Sequence, residues 1–454
     1  MKKIAAAATR LIRHTLLATP LVLAPAVSSV VINAAGFEAS TGVVYAQDQK
    51  QKKPERKTRK TPALSQKVYK KLEKVDILTN PEEGSGIKPD YRAALAELAT
   101  INTSKWNKYE LANYYQRKAF AYYSLENYRE AIKFFRLVIK QSPSIPVGLE
   151  VQITYTVAQL QFVLEDYAGA AKTLEKWIKI SPIVGADGYV LLGQAYYQID
   201  QKKKALPLIV KAVKMYDDKG KTPKENWFQL MQAIYFDQNR YKDVINVLER
   251  MVRSYPKVSY YRQLAGMYGQ VGREKDQLAA MDALYVMGGL SKERELLNLA
   301  YMYLGAEVPA KAAKIMQKGM DKKQIEKTTK NLEVLAQALQ MGRDIKRAIP
   351  VLEQAASKSE KGELYSRLAG IYVDNDNSDK AITAGKKALE KGKIKRIDQL
   401  YITLGMANAN KKRYSTAIKH FQSAAKDKRS KKFALGWIKY CKSEQARERK
   451  LREG

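Results

Sequence analysis

The chain has 454 residues, 45% of them hydrophobic, with 81 Lys and Arg against 46 Asp and Glu for a formal net charge of +35. That apolar content supports a sizeable core and excludes a wholly disordered chain. A single cysteine, Cys441, excludes a disulfide scaffold, and two histidines, His14 and His420, leave almost nothing for a Cys/His zinc site or an imidazole-dependent triad.

The first segment, 1–46, reads as a secretory signal peptide. Lys2, Lys3, Arg10 and Arg13 form a basic start, and an apolar stretch follows from Thr15 to Ala35, broken by Pro20 and Pro25. Small residues at Val44 and Ala46 then precede the polar Gln47-Asp48-Gln49, which places the cut after Ala46. An uncleaved anchor, or a cut near Ala34 or Ala35, is the alternative. No later segment has the apolar length of a membrane span. The mature chain is therefore expected to be exported and periplasmic, with membrane association left open.

Residues 47–62 carry seven Lys and Arg against Asp48 and Glu55 with almost no apolar residue, the composition of a basic flexible linker. Ser65–Ile77 and Asp90–Ile101 follow as amphipathic stretches around Asn80-Pro81-Glu82-Glu83-Gly84. They are expected to pair as a degenerate hairpin capping what comes next.

From about Asn113 to Ala425 one pattern recurs. Small residues twelve apart mark it: Ala119/Ala131, Ala158/Ala170, Gly193/Ala205, Ala300/Ala312, Ala336/Ala348, Ala369/Ala381 and Gly405/Ala417. Gln232/Val244 and Ala265/Gln277 keep the phase and lose a small residue. Tyr115, Ala119, Tyr122 and Leu125 show helical spacing, and turn residues such as Glu126-Asn127, Glu165-Asp166, Asn239-Arg240, Gly272-Arg273, Asn375-Asp376-Asn377 and Lys411-Lys412 separate the helices. Small side chains on both partners let two antiparallel helices approach closely. Such a hairpin cannot bury both faces alone, so neighbours must stack.

This pattern resembles the tetratricopeptide repeat. Tyr189, Leu192-Gly193, Tyr196, Ala205, Ile209 and Ala212 reproduce its motif well, whereas its proline is kept only at Pro143, Pro182 and Pro256. The resemblance implies an all-α superhelical solenoid over residues 63–425, with about nine full repeats. Lys432–Arg449, inside a basic tail of 426–454, is then the final capping helix, with Phe433, Leu435, Trp437 and Ile438 covering the last exposed face.

No catalytic constellation emerges, so the chain is expected not to be an enzyme and to need no metal or cofactor. Gly220-Lys221-Thr222 lacks the first glycine of a phosphate-binding loop, Met215 standing there, and reads as a turn. Asp374, Asp376, Ser378 and Asp379 lack the glycine and the final glutamate of a calcium loop. His420 reads as a packed or surface residue, and Cys441 as a free thiol without consequence.

The candidate site is a surface. In the resemblance, the first helix of each pair lines a concave groove. Tyr123, Phe162, Tyr197 and Phe236 share one register position of the first four repeats, with Gln116, Gln159, Gln194 and Gln229 beside them. After that the aromatic run stops, at Gly269, Leu304, Gln340, Val373 and Ala409. Rings and carboxamides along a groove suit an extended peptide; the other reading is that the rings pack between repeats. Gln116 and Phe120 stand where the family's carboxylate clamp has Lys and Asn, so chaperone C-termini are not implied.

The leader, Thr61-Pro62-Ala63-Leu64, Val68-Tyr69 and Lys108-Tyr109-Glu110-Leu111-Ala112 are similar to exported tetratricopeptide proteins that accompany TonB–ExbB–ExbD systems. That resemblance implies a scaffold assisting energy-coupled outer-membrane uptake, for example of iron–siderophore complexes. The alternative is an envelope or cell-wall assembly factor whose basic surface holds anionic polymer or lipid. Export argues against nucleic acid as the partner of the positive charge, and no small-molecule substrate is implied.

Overall fold

A computed structural model describes residues 59–82 and 84–453, with side chains through Leu451. The expected leader and most of the expected linker lie outside the described residues. Those described form twenty-one helices and no strand. The chain divides into two compact units, the first ending at Pro256 and the second beginning at Lys257.

The first unit opens with α1 (Gln66–Thr79) and α2 (Tyr91–Thr100). Val68, Leu72, Val75, Ala94 and Leu98 form their shared core, and Tyr114 of the next helix enters it. Asp90 starts α2 by accepting the backbone N–H groups of Arg92 and Ala93. Arg117 donates from Nε and Nη2 to the two carboxylate oxygens of Asp76, each at 2.7 Å, joining α1 to the following hairpin. The expected capping hairpin is thus built and fastened at its outer end. Arg59, in the 47–62 segment, donates to Glu150, to the Ser142 hydroxyl at 3.1 Å and to the Ile145 carbonyl at 3.5 Å.

Four full hairpins follow in this unit: α3 (Lys108–Ser124) with α4 (Tyr128–Ile139), α5 (Val147–Val163) with α6 (Tyr167–Ile180), α7 (Ala186–Gln198) with α8 (Lys202–Asp217), and α9 (Glu225–Asp237) with α10 (Tyr241–Ser254). The second unit has five: α11 (Val258–Gln270) with α12 (Glu274–Val286), α13 (Glu293–Gly305) with α14 (Pro309–Asp321), α15 (Thr329–Met341) with α16 (Ile345–Lys358), α17 (Glu363–Asp374) with α18 (Ser378–Lys391), and α19 (Ile397–Asn410) with α20 (Tyr414–Ala424). A long helix, α21 (Lys428–Glu453), packs on α20.

The twelve-residue spacing works as the sequence predicts. Ala119, Ala131, Ala158, Ala170, Ala205, Ala300, Ala312 and their counterparts are fully buried between the paired helices. Glycine replaces alanine where the partner is bulky. A Cβ on Gly193 would lie 2.4 Å from Ile209 Cδ1, and one on Gly405 would lie 2.5 Å from the Phe421 ring.

Each of the nine hairpins turns through the same geometry. The left-handed residues are Glu126, Glu165, Asp200, Asn239, Glu307, Arg343, Asp376 and Lys412, with φ between 56° and 59°, and Gly272 with φ 73°. The next residue's N–H reaches back to the carbonyl five positions earlier, as from Asn127 to Tyr122 at 2.9 Å and from Asp344 to Leu339 at 2.8 Å. This is the Schellman closure of a helix. That same next residue often starts the second helix: Asn127, Asp166, Asp344 and Asn377 accept backbone N–H groups from it. One turn therefore ends a helix and nucleates its partner.

The C-terminal cap differs from expectation in its azimuth. Ala434 and Cys441 are fully buried against Tyr414, Ala417 and Phe421, with Trp437 and Ile438 beside them. Phe433 and Leu435, expected to cover that face, point outward at 53% and 50% exposure. Asp398 fixes the start of the cap. Its buried carboxylate accepts from Arg396 at 2.7 Å and from the Ser430 hydroxyl at 2.7 Å.

Candidate partner-binding surface

All eight candidate residues sit on first helices of the first unit. Gln116 and Tyr123 are on α3, Gln159 and Phe162 on α5, Gln194 and Tyr197 on α7, and Gln229 and Phe236 on α9. Every one is half-buried. The aromatic run and the compact unit end together, since Gly269 already belongs to the second unit.

The rings are held inside their own hairpins. Tyr123 packs on Tyr128 with centroids 6.0 Å apart, Phe162 on Tyr167 at 4.9 Å, and Phe236 on Tyr241 at 6.1 Å. In each case the partner ring is the first residue of the second helix, five positions on. Neither of the two sequence readings described this arrangement. The support comes from within a repeat, and each ring keeps part of its surface for solvent. A ring clamped on one side is a rigid platform, with little rotamer entropy left to lose on binding.

Tyr197 departs from this pattern because Lys202 stands where the other three repeats have tyrosine. The Lys202 ammonium reaches Asp200 at 3.0 Å and Asp237 at 3.1 Å, and the Tyr197 hydroxyl lies 3.4 Å from the same Asp237 carboxylate. These contacts raise the affinity of Lys202 for its proton despite partial burial. They also link the α7–α8 and α9–α10 hairpins beside the strip. The sequence carried a signal for this trio: a cation at the one register position that is otherwise aromatic.

The side-chain amides of Gln116, Gln159 and Gln194 have no hydrogen-bond partner among the described residues, although each is half-buried. Neighbouring glutamine chemistry on the same helix is different. Gln161, buried, donates to Asp166 at 2.8 Å and accepts from the Thr173 hydroxyl at 2.6 Å. In the second unit Gln340, at the register position of the rings, accepts from Arg367 at 3.2 Å. Gly269, at that same position, leaves room that the Gln277 side chain fills. The combination of half-exposed ring and unpartnered amide thus belongs to the first unit.

The remaining motifs resolve structurally. Gly220, with φ 64°, closes α8, and the Lys221 N–H reaches the Tyr216 carbonyl at 2.9 Å. Asp376 is a left-handed turn residue, and Asp379 pairs with Lys411 at 2.9 Å. His420 stacks on Tyr401 with centroids 6.1 Å apart, and burial lowers its pKa. Cys441 is a free thiol buried in the C-terminal core, where burial pushes its pKa up. It has a packing role that its sequence context did not indicate. Among the described residues no group of three or more His, Cys, Asp or Glu is placed to hold a metal ion.

Residues 112–145 and 186–219 match the family model for the tetratricopeptide repeat, on the α3–α4 and α7–α8 hairpins. These two hairpins carry the tetratricopeptide sequence pattern, and the other seven share their helix–turn–helix build. Among solved structures, a crystal structure of MamA aligns with 38% of this chain and 93% of its own, at 21% identity and a TM-score of 0.32. MamA from Desulfovibrio magneticus RS-1, from residue 41 to its end, aligns with 40% of this chain and 94% of its own, at 18% identity and a TM-score of 0.32. YrrB, described as a TPR protein with an unusual peptide-binding site, aligns with 43% of this chain and 91% of its own, at 16% identity and a TM-score of 0.32. No curated protein matches the sequence. The tetratricopeptide fold, stacked helix hairpins that present side chains from their first helices, is a scaffold suited to protein–protein interaction.

Proposed function

We propose that this chain is an exported, non-enzymatic scaffold that holds an extended protein segment along the strip on α3, α5, α7 and α9. The observation that carries the reading is the pairing of unpartnered amides at Gln116, Gln159 and Gln194 with half-exposed rings at Tyr123, Phe162 and Phe236. Amides of this kind exchange water for main-chain hydrogen bonds when an extended segment lies beside them, and the rings then take alternate side chains. The periplasm is the proposed location, reached through the 1–46 leader with cleavage after Ala46. The proposed setting is a TonB–ExbB–ExbD system, with the scaffold assisting energy-coupled outer-membrane uptake such as that of iron–siderophore complexes. Supporting it are the leader and the Thr61–Leu64, Val68-Tyr69 and Lys108–Ala112 segments.

The test is affinity capture of TonB-, ExbB- and ExbD-type proteins by the full chain and by a Phe162→Ala/Tyr197→Ala variant. Capture by the parent and its loss in the variant, together with impaired siderophore uptake on deletion of the gene, is the expected result. Capture that is indifferent to the variant would move the contact off the strip. Uptake unaffected by deletion would remove the proposed setting.

A further inference from the structure

One side of α21 belongs to the core, where Trp437 stacks on Phe421 with centroids 5.5 Å apart. The rest of its circumference faces solvent, with Phe433 at 53% exposure, Tyr440 at 49% and Leu451 at 74% along one side of it and Leu435 at 50% on the other. Beside Phe433 and Tyr440 lies an open hollow of about 620 Å³, lined also by Arg429, Lys432, Gly436 and Trp437. Gly436 is one of its lining residues, and a Cβ there would meet no heavy atom within 4 Å.

The charges on this helix fall into two kinds. Arg429, at the hollow, pairs with Asp427 at 2.7 Å, and Arg447 lies 3.6 Å from Glu444. Its lysines are not: Lys428, Lys431, Lys432, Lys439, Lys442 and Lys450 have no carboxylate within ion-pair distance among the described residues. At the helical pitch, Lys432 and Lys439 run along the middle of the outer arc. Leu435 lies on one flank of that row, and Phe433 and Tyr440 lie on the other.

We propose that the outer arc of α21 is a docking surface for an anionic phospholipid bilayer. A folded acidic partner is best met by arginines with a fixed, bidentate geometry. Here Arg429, the arginine at the hollow, is committed to Asp427, and the unpaired cations sit on flexible lysine stems, which follow mobile headgroups while the stems lie along apolar surface. Phe433 and Tyr440, which share the side of the hollow, would enter the boundary between headgroup and acyl chain, the depth that aromatic side chains prefer. No helix among the described residues is long and apolar enough to cross a membrane. This surface is separate from the strip on the first unit, so either proposal can fail alone.

The experiment is flotation of the full chain with vesicles of phosphatidylcholine alone and of phosphatidylcholine with phosphatidylglycerol. Binding is expected only with phosphatidylglycerol, and it should weaken as salt is added. Lys432→Glu/Lys439→Glu should reduce it roughly tenfold or more. Gly436→Glu, which puts its side chain into open space and should leave the melting temperature near the parent's, should do the same. Lys314→Glu/Lys330→Glu removes equal charge from exposed positions elsewhere in the second unit and should leave binding within about twofold of the parent. Equal loss in this control pair would reduce the effect to net charge and overturn the proposal. Binding indifferent to all three variants would assign it to another segment and overturn it equally. Retention of the chain by polyglutamate with no flotation on phosphatidylglycerol would make the surface a site for acidic polymer instead.

Discussion

The hydroxyl of Tyr196 on α7 donates to the carboxylate of Glu175 on α6, across the boundary between two successive hairpins. The same tie recurs in the second unit, where Tyr372 on α17 donates to Glu353 on α16. A tyrosine late in one first helix thus reads the acidic residue on the preceding second helix, and stacking gains a directional contact beyond apolar burial. Burial first, and then the bond to Glu175, push the Tyr196 phenol up to about 12 from its ordinary 10.0.

Because the folded-state pKa is raised, the stabilisation from Tyr196 is fully present below the unfolded value and is lost as pH rises through the folded one. Thermal stability of the first unit should therefore fall between about pH 10 and pH 12. Tyr196→Phe should cost about 1 kcal/mol at neutral pH. It should also make the alkaline fall shallower, as thermal melts across that range would show.

Asp398 carries the opposite sign. Arg396, together with Ser430 and Arg429, holds its carboxyl well below the usual carboxylate range against the effect of burial. Its contribution is present above the unfolded value of 3.8 and disappears as pH falls below it. Asp398→Asn should destabilise the second unit by about 1–3 kcal/mol at neutral pH and flatten its acid dependence. Limited proteolysis should find α21 detached before the rest of that unit opens. An unchanged acid limb in the variant would separate Asp398 from the anchoring of the cap.

The glycines at helix crossings answer a different question. Gly193→Ala should cost about 1–3 kcal/mol, because its Cβ would fall 2.4 Å from Ile209 Cδ1. Adding Ile209→Val should recover part of that loss in a double-mutant cycle. Gly436→Ala, on the exposed arc of α21, meets no neighbour and should stabilise by about 0.5–1 kcal/mol. Urea denaturation distinguishes the two signs directly.

At the hairpin turns, left-handed geometry falls on Glu126 and Lys412, which are not glycine. Glu126→Gly or Lys412→Gly should raise stability by about 0.5–1 kcal/mol, the steric relief exceeding the added chain entropy. Gly272→Val should move the melting temperature the other way.

On the strip, Gln159→Ala and Gln194→Ala remove amides that have no hydrogen-bond partner among the described residues. Stability should change by no more than about 0.5 kcal/mol. Capture of a bound protein segment should weaken together with that of Phe162→Ala. A large loss of stability instead would show that these amides serve the fold.

Much of this architecture was legible beforehand. The alanines twelve residues apart, the Glu-Asn and Asn-Asp-Asn turns and the clustering of Tyr123, Phe162, Tyr197 and Phe236 located the nine hairpins and the candidate strip. Two other features were not legible in that way. The rings were expected either to await a peptide or to pack between repeats, whereas three of them rest on Tyr128, Tyr167 and Tyr241 inside their own hairpins. Cys441, which had no motif around it, proved to be core.

The sequence by itself determined the local unit, because a helix, its turn and its antiparallel partner depend on residues only a few dozen positions apart. Periodicity records such contacts faithfully: Ala119 needs only Ala131 and a turn between them. Tertiary structure alone decided the division after Pro256, the pinning of Arg59 to Glu150, and which arc of α21 faces inward. That helix is apolar on more than one side, so its pattern fits several rotations about its axis. The choice of Trp437 and Cys441 over Phe433 and Leu435 follows from the shape that α20 offers and from the grip of Asp398 on Ser430.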